Sequence, residues 1–224
     1  MNNIQLVEHC KKALNEKWGY VYGTFGQVLN ETLLRQKLTQ YPANVKQFES
    51  FIRKNWMNRR VADCVGLIKS YLWWNNGNVK YTPAQDKSAN GMYNIAKEKG
   101  PLNTIPEIPG VLVWKNGHIG VYIGNGQVIE SHGTKAGVVQ TPLSGKGATG
   151  WTNWCKCIYI NYEEVEASDT INVLVNGKKL KLKGYLKEGV SYIKVDNQDV
   201  PLRKVAELLG FNVGWDGKMV TING

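Results

Sequence analysis

The chain has 224 residues, of which 42% are hydrophobic and 21% charged, and its formal net charge is +10 at pH 7. This length and composition allow one catalytic domain with a small second module, and the absence of an apolar run of about eighteen residues excludes an integral membrane protein. Basic residues outnumber acidic ones by 19 to 13 in 1–170 and by nine to five in 171–224, which favours anionic partners such as nucleic acid, membrane surfaces or the teichoic-acid-bearing bacterial wall.

The first 60 residues are predicted to be mostly helical. Residues 1–12 lack the basic start and the apolar core of a secretory signal, so we expect no export by the general pathway. Residues 2–16 predict an amphipathic helix with His9 facing solvent. The glycines and aromatics of 18–26 predict a loop in close approach to another segment, and helices are predicted over 31–40 and 43–56.

Cys64 lies at the predicted start of a further helix that runs to about Trp74. Asp63 can cap this helix, and the residues that follow are mostly apolar. Unpaired backbone N–H groups, the positive end of the helix dipole and the nearby Arg59 and Arg60 all favour a thiolate at this position. Such settings lower a cysteine pKa from about 8.5 to roughly 3.5–7.5, so Cys64 is the candidate nucleophile.

The other cysteines and the tryptophans are predicted to be structural. Without a secretory context we expect free thiols, and the Cys155 and Cys157 pair has no second Cys or His pair at zinc spacing after it. Large aromatics in a small domain usually lie in the core, and this is the prediction for Trp73, Trp74, Trp114, Trp151 and Trp154.

The pattern changes to strands after residue 110. Strands are predicted over 111–114, 118–123 and 127–132, with turns at 115–117 and 124–126. Helices that precede a run of strands indicate an α+β fold rather than an alternating parallel sheet.

A polar stretch divides the chain. We predict a catalytic domain over 1–162, a linker over 163–170 and a small α+β module over 171–224. In that module two strands joined by Asn176 and Gly177 precede a strand over 190–195, a helix over 202–209 and a final hairpin that turns at Asp216 and Gly217.

A cysteine nucleophile needs a base, and the base needs a polar group that orients its ring. His118 is the candidate base. If the hairpin turns around Asn125, His118 faces His132 and Gly120 faces Glu130, so both polar side chains can share the face of His118. Either one could orient the base, because residues two apart on a strand point to the same side, and Asn153 is a further alternative.

Several segments resemble, in the same order, the signature segments of the NlpC/P60 cysteine peptidases. They are Tyr-Val-Tyr-Gly at 20–23, Asp-Cys-Val-Gly-Leu at 63–67, Pro-Gly-Val-Leu-Val-Trp at 109–114 and Gly-His-Ile-Gly-Val-Tyr-Ile-Gly at 117–124. The resemblance implies a papain-like domain, with helices packed on a small antiparallel sheet, that hydrolyses peptide bonds in bacterial peptidoglycan. It implies neither cofactor nor metal.

Carried over residue by residue, the resemblance makes Cys64 the nucleophile, His118 the base, Glu130 the third polar residue and Tyr20 the tyrosine near the site. Tyr22, Asp63 and His132 are then the candidate substrate-binding residues. The backbone N–H of Cys64 would supply part of the oxyanion hole. The chain departs from the family pattern with Val65 in place of a serine, Glu130 in place of the commoner histidine, and about forty residues between Tyr22 and Cys64.

The tail, over 200–216, is similar to the copper amine oxidase N-terminal-like repeat. Residues 171–224 contain neither His nor Cys, so we expect no copper site there. Wall attachment, homodimer formation through 171–224 and a passive stalk are the alternatives for this module.

Together these features predict a peptidoglycan hydrolase of the phage endolysin type, or a related prophage or autolytic enzyme, that cleaves the γ-D-glutamyl–diamino acid bond. It is expected to be made in the host cytoplasm, to reach the wall through a holin, and to bind peptidoglycan and anionic wall polymers rather than nucleic acid or membrane. The alternatives are an N-acetylmuramoyl-L-alanine amidase or acyl transferase on the same fold, and a non-catalytic wall-binding protein.

Overall fold

The computed structural model describes residues 1–162, 170–187, 190–195, 198–215 and 220–224. The chain divides into two compact units, Met1–Glu163 and Glu164–Gly224. Each unit combines helices with a mainly antiparallel sheet, which confirms the predicted α+β class. The predicted linker, 163–170, lies outside the described residues except for Thr170. No helix in these described ranges is long and apolar enough to cross a membrane.

Helices and strands alternate irregularly along the described chain. The α-helices are α1 (Asn3–Asn15), α2 (Glu31–Gln40), α3 (Pro42–Val45), α4 (Glu49–Asn55), α5 (Cys64–Leu72), α6 (Ala89–Ile95) and α7 (Leu202–Leu208), and single 3₁₀ turns cover Lys46–Phe48, Pro83–Gln85 and Leu102–Thr104. The strands of the first unit are β1 (Phe25–Val28), β2 (Arg60–Ala62), β3 (Trp74–Asn75), β4 (Asn78–Val79), β5 (Lys99–Pro101), β6 (Leu112–Lys115), β7 (His118–Gly124), β8 (Gln127–Gly133), β9 (Gly137–Pro142) and β10 (Asn153–Cys155). Those of the second unit are β11 (Thr170–Val175), β12 (Lys178–Lys187), β13 (Val190–Val195), β14 (Gln198–Pro201), β15 (Asn212–Trp215) and β16 (Val220–Asn223).

The core of the first unit lies between its main sheet and two helices. The sheet has the antiparallel order β5-β10-β6-β7-β8-β9, and α1 and α5 pack on β7 and β8. Apolar side chains from both layers bury each other, among them Leu6, Ile68, Leu112 and Ile129, all with 0% exposure. The Cys64 end of α5 is therefore held against the strands that carry His118 and Glu130.

The β7–β8 hairpin has the register expected for a turn around Asn125. Val121 lies opposite Ile129 and Tyr122 opposite Val128, and the pairing is irregular only beside Gly124. Because side chains alternate across a strand, this register puts the side chains of His118 and Glu130 on one face.

The segment between Tyr22 and Cys64 has a core of its own. Strands β1 and β2 pair antiparallel and close the segment at both ends. The helices between them bury a second cluster, formed by Val21, Leu29, Leu34, Val45, Ile52 and Val61. Residues 42–55 are helical, as predicted for 43–56, but the helix is not continuous. A 3₁₀ turn over Lys46–Phe48 separates α3 from α4, and Val45, just before it, has a φ of −113°.

His9 is another correction, because it does not face solvent. Its Nε2 lies 2.7 Å from the Ser70 Oγ, and its ring packs edge-on against Trp18 and Trp74. Burial, aided by the charge of Lys12, lowers the pKa of His9 to about 4, so the ring is neutral at pH 7 and serves as packing.

The second unit is a small α+β module, as predicted. Its sheet has the order β14-β13-β12-β11-β16-β15, in which β11 and β16 are parallel. Asn176 and Gly177 make the predicted turn with positive φ, and α7 covers a core that includes Val173, Leu202 and Ile222. The predicted turn at Asp216 and Gly217 lies outside the described residues.

Candidate active site

Asp63 forms hydrogen bonds both with the start of α5 and with the loop that contains Tyr20 and Tyr22. Its Oδ1 accepts a hydrogen bond from the Gly66 N–H at 2.6 Å, which is the predicted N-cap. Its Oδ2 accepts from the Gly23 N–H at 2.8 Å. Asp63 lines the same groove as Cys64, which is described below. Because both of its carboxylate oxygens accept hydrogen bonds from backbone N–H groups, Asp63 is a positioning residue.

Two glycines of the motifs are required by close approach. A Cβ at Gly66 would lie 1.9 Å from the Thr24 carbonyl oxygen, and a Cβ at Gly23 would lie 2.3 Å from the Tyr41 ring. Gly23 also has a φ of +78°, which disfavours other residues. The loop predicted to approach another segment thus packs directly on the Cys64 helix.

The Cys64 thiol is buried, with 9% exposure, and its Sγ lies 4.0 Å from the Gly117 carbonyl oxygen. Burial, followed by the charge of Asp63, raises the pKa of Cys64 to about 12, although backbone N–H groups of Val65 and Ile119 oppose the shift. The expectation of a lowered pKa for Cys64 is therefore wrong. Desolvation outweighs the helix start, and the thiol needs a base.

The arginines predicted to assist the thiolate do not reach it. Arg60 donates to the carbonyl oxygens of Gly26 and Gly77 at 2.8 and 2.6 Å, and its guanidinium lies over the Trp74 ring. Within the described part of the chain, the hydrogen-bonding contact of the Cys64 thiol is with the Gly117 carbonyl oxygen and not with either arginine.

His118 and Glu130 form a hydrogen-bonded pair. The Nε2 of His118 lies 2.7 Å from the Glu130 Oε2. His118 directly follows Gly117, whose carbonyl oxygen lies 4.0 Å from the Cys64 Sγ. Because Glu130 takes Nε2, the ring nitrogen left for the thiol is Nδ1.

Glu130 is fully buried and ionised. Burial would raise its pKa, but hydrogen bonds from His118, Thr149, Thr141 and His132 outweigh that effect and lower the pKa to about 2. An ionised carboxylate only accepts hydrogen bonds, so the Nε2 of His118 carries the proton. The Nδ1 of a neutral His118 is then an acceptor, as a base for the thiol must be.

The geometry separates the candidates for the third polar residue. His132 donates from Nδ1 to the same Oε2 at 3.0 Å, and its side chain is 47% exposed. It touches Glu130 rather than the nitrogens of His118, whose ring centre is 6.1 Å from its own. Asn153 pairs with Trp114 in the sheet. Glu130 is thus the residue that holds His118.

Two residues of this site were missed by sequence reasoning. Trp151 is buried in the core, as predicted, and it also stacks on the His118 ring, with centres 5.2 Å apart and planes 6° from parallel. Asn90 Oδ1 accepts from the Gly117 N–H at 2.7 Å and from the Trp114 indole at 3.1 Å. Nothing in the sequence pattern links either residue to His118.

Burial and the charge of Asp63 act on both predicted tyrosines. They raise the pKa of Tyr20 and of Tyr22, so both hydroxyls remain donors at neutral pH. Tyr22 is 38% exposed, lines the groove and packs edge-on against Tyr41, with ring centres 5.1 Å apart. Tyr20 is more buried and is not among the groove-lining residues.

A groove of about 960 Å³ opens at Cys64. The inserted segment, which is the stretch between Tyr22 and Cys64, lines the groove through Gln36, Lys37, Gln40 and Tyr41. Residues between Tyr81 and Asn90 also line it. The volume lies within the range of small-molecule and cofactor sites, and Cys64 is one of the residues that line the groove.

His118 and two neighbouring side chains also form a candidate metal-binding group. Within the described residues, His118, Glu130 and His132 offer ligand atoms within 4.8 Å of one another. Two imidazoles and a carboxylate fit Zn²⁺. A bound ion would use the same atoms as the hydrogen-bond network and would therefore compete with the base role of His118.

Comparison with known proteins gives structural matches only. No protein-family model matches the chain, and no curated protein matches it in sequence. It is similar to the P60 domain of an antigen from M. avium subspecies paratuberculosis, with 19% identity over 71% of this chain and 98% of that one and a TM-score of 0.37. It is also similar to the peptidoglycan hydrolase RipB from Mycobacterium tuberculosis, with 19% identity over 72% of this chain and 68% of that one and a TM-score of 0.37. At these values the functional conclusion rests on the chain's own residues.

Proposed function

We propose that this protein is a cysteine hydrolase that cleaves amide bonds in the stem peptides of bacterial peptidoglycan. The observation that carries the proposal is the hydrogen bond between the Nε2 of His118 and the buried, ionised carboxylate of Glu130, together with a thiol at a helix start whose Sγ lies 4.0 Å from the carbonyl oxygen of the adjacent Gly117. A buried carboxylate held by four hydrogen bonds fixes the tautomer that a thiol needs in its base.

The first half of the reaction forms an acyl-enzyme. His118 Nδ1 takes the proton of the Cys64 thiol, and the thiolate attacks the scissile carbonyl carbon. The Cys64 backbone N–H, at the start of α5, donates to the oxyanion that forms. The imidazolium, stabilised by Glu130, then gives its proton to the leaving amine as the C–N bond breaks and the thioester remains.

Water completes the cycle. His118 Nδ1 takes a proton from a water molecule as the water oxygen attacks the thioester carbonyl carbon. The C–S bond then breaks, the proton passes from His118 to the Cys64 sulfur, and the acyl group leaves as a carboxylic acid. Trp151, stacked on the imidazole, excludes solvent from one face of the ring and so keeps its bond to Glu130 in a poorly hydrated setting.

The choice of substrate rests on the segments similar to the NlpC/P60 signatures and on the charge of the chain. We propose the γ-D-glutamyl–diamino acid bond, with Tyr22 in contact with the substrate from the groove wall. The net charge of +10 fits a wall that carries anionic polymers. In this proposal the enzyme is made in a host cytoplasm and released to the wall, where residues 171–224 provide attachment or dimerisation.

Digestion of purified Gram-positive peptidoglycan by wild type and Cys64→Ala tests the proposal. Mass spectrometry identifies the released fragments and their new amino termini. We expect a new amine on the diamino acid, absent with the variant. A new alanine amine would instead indicate an N-acetylmuramoyl-L-alanine amidase. Wall binding with no Cys64-dependent product would contradict the hydrolase and favour a binding protein.

A further inference from the structure

Lys37 is a buried cation in the wall of the groove. It lies on α2, within the segment that separates Tyr22 from Cys64, and only 6% of its surface is exposed. Its Nζ donates to the Gln40 Oε1 at 2.9 Å and lies 5.6 Å from the centre of the Tyr41 ring. The residue nevertheless lines the groove that opens at Cys64.

Neither neighbour of the Lys37 ammonium carries a countercharge. Within the described ranges, no carboxylate oxygen forms an ion pair with its Nζ, whereas the other groove lysine, Lys69, pairs with Asp86. An ammonium has three donors, and one neutral acceptor leaves two of them for a ligand. Burial of a cation without a paired anion costs free energy, so binding of an anionic group next to Lys37 would be favourable.

The carboxylates that face the same groove are already engaged. Asp86 accepts hydrogen bonds from Lys69 and from the Tyr81 hydroxyl, and both oxygens of Asp63 accept from backbone. These two carboxylates act on Lys37 only through longer-range attraction, which opposes the lowering of its pKa by burial. The groove therefore presents one cation whose charge is not matched by a contacting anion.

We propose that Lys37 binds a carboxylate of the substrate, which makes the inserted helix α2 a specificity element. The inference rests on the proposed function. A stem peptide offers such a group at the α-carboxyl of its γ-linked glutamate and at its C-terminal carboxyl. Amidation of either one removes the charge and leaves the shape almost unchanged, so the enzyme would discriminate between amidated and free-acid walls.

Kinetics on three soluble stem peptides tests the proposal. One peptide has both carboxyls free, one carries an amide at the glutamate α-carboxyl, and one carries an amide at the C-terminus. The enzymes are wild type, Lys37→Met, Lys37→Arg and a matched control, Lys46→Met, which removes an exposed lysine of the same inserted segment. Circular dichroism and thermal unfolding verify that each variant folds.

We expect wild type to lose roughly 10- to 100-fold in kcat/KM on one of the amidated peptides, mainly through KM, because a charged hydrogen bond is lost. The amide that causes the loss identifies the carboxylate. Lys37→Met should have a similarly lowered kcat/KM on the free-acid peptide and should not discriminate among the three peptides. Lys37→Arg and Lys46→Met should still discriminate as wild type does.

Equal cleavage of all three peptides by wild type, or discrimination that persists in folded Lys37→Met, would overturn the role of Lys37 and leave the hydrolase intact. If wild type cleaves none of the peptides and no purified peptidoglycan, the proposed function fails and the role of Lys37 fails with it.

Discussion

Glu130→Gln removes the charge that orients His118 while keeping the size of the side chain. In the folded protein the hydrogen bonds to Glu130 outweigh its burial and lower its pKa to about 2, from an ordinary value of 4.5. That difference corresponds to roughly 3 kcal/mol of stabilisation of the ionised folded form. We therefore expect the variant to be less stable than wild type by up to about 3 kcal/mol at pH 7.

The pH dependence of this difference has a defined sign. Because the pKa is lower in the folded than in the unfolded protein, the stabilisation is fully present above about pH 4.5 and is lost as the pH falls towards 2. Urea unfolding at several pH values should show the gap between wild type and Glu130→Gln closing over this range. Glu98→Gln is the control. The Glu98 carboxylate forms an ion pair with Lys156 but its side chain is 63% exposed, so its loss should change the free energy of unfolding by less than about 1 kcal/mol.

Activity provides the second readout of the same substitution. A neutral amide neither stabilises the imidazolium nor enforces a proton on Nε2, so kcat should fall by roughly 100-fold or more. Turnover of a soluble stem peptide measures it. A variant that keeps kcat within about threefold of wild type, with a stability gap that does not change with pH, would refute this account of Glu130.

Three further perturbations follow from the contacts of the site. Trp151→Ala, which removes the ring stacked on His118, should cost about 3–5 kcal/mol in urea unfolding and lower kcat, whereas unchanged turnover would contradict a role beside the base. Gly66→Ala places a Cβ 1.9 Å from the Thr24 carbonyl oxygen, so we expect a loss of at least about 2 kcal/mol and of activity, and a fully active, equally stable variant would be inconsistent with the structure. Added Zn²⁺ should inhibit wild type by binding to His118, Glu130 and His132, and EDTA should restore the activity. Inhibition of His132→Ala should need a higher Zn²⁺ concentration, and equal sensitivity of this variant would exclude these three residues as the ligands.

The elements that sequence could predict around the site are those set by local signals. Asp63 followed by an apolar run is a helix start regardless of the rest of the fold, and the structure has Asp63 as the cap of α5. Glycine and asparagine at 124–126 fix a hairpin turn, and that turn determines which residues share a face with His118.

The features that sequence could not predict depend on contacts between distant segments. Asn90 reaches Gly117 across 27 residues, and Trp151 stacks on His118 from a loop after β9, so neither has a local pattern. The choice between Glu130 and His132 needed side-chain geometry, since both lie on the same face.

The thiol of Cys64 shows why local electrostatics alone misleads. A helix start and two nearby arginines predict a lowered pKa, but burial is a property of the packed fold and raises it to about 12. His9 is a similar case, because its position on an amphipathic helix gave no sign of the aromatic rings that other segments bring to it.

The most direct test of the central claim is to trap the acyl-enzyme. Wild type is mixed with a soluble stem peptide, quenched in acid within the first turnovers and digested, and the peptide that contains Cys64 is weighed by mass spectrometry. We expect an added mass equal to the acyl half of the substrate on Cys64, absent in Cys64→Ala, and we expect that variant to have no turnover. Turnover that persists in Cys64→Ala would contradict the account.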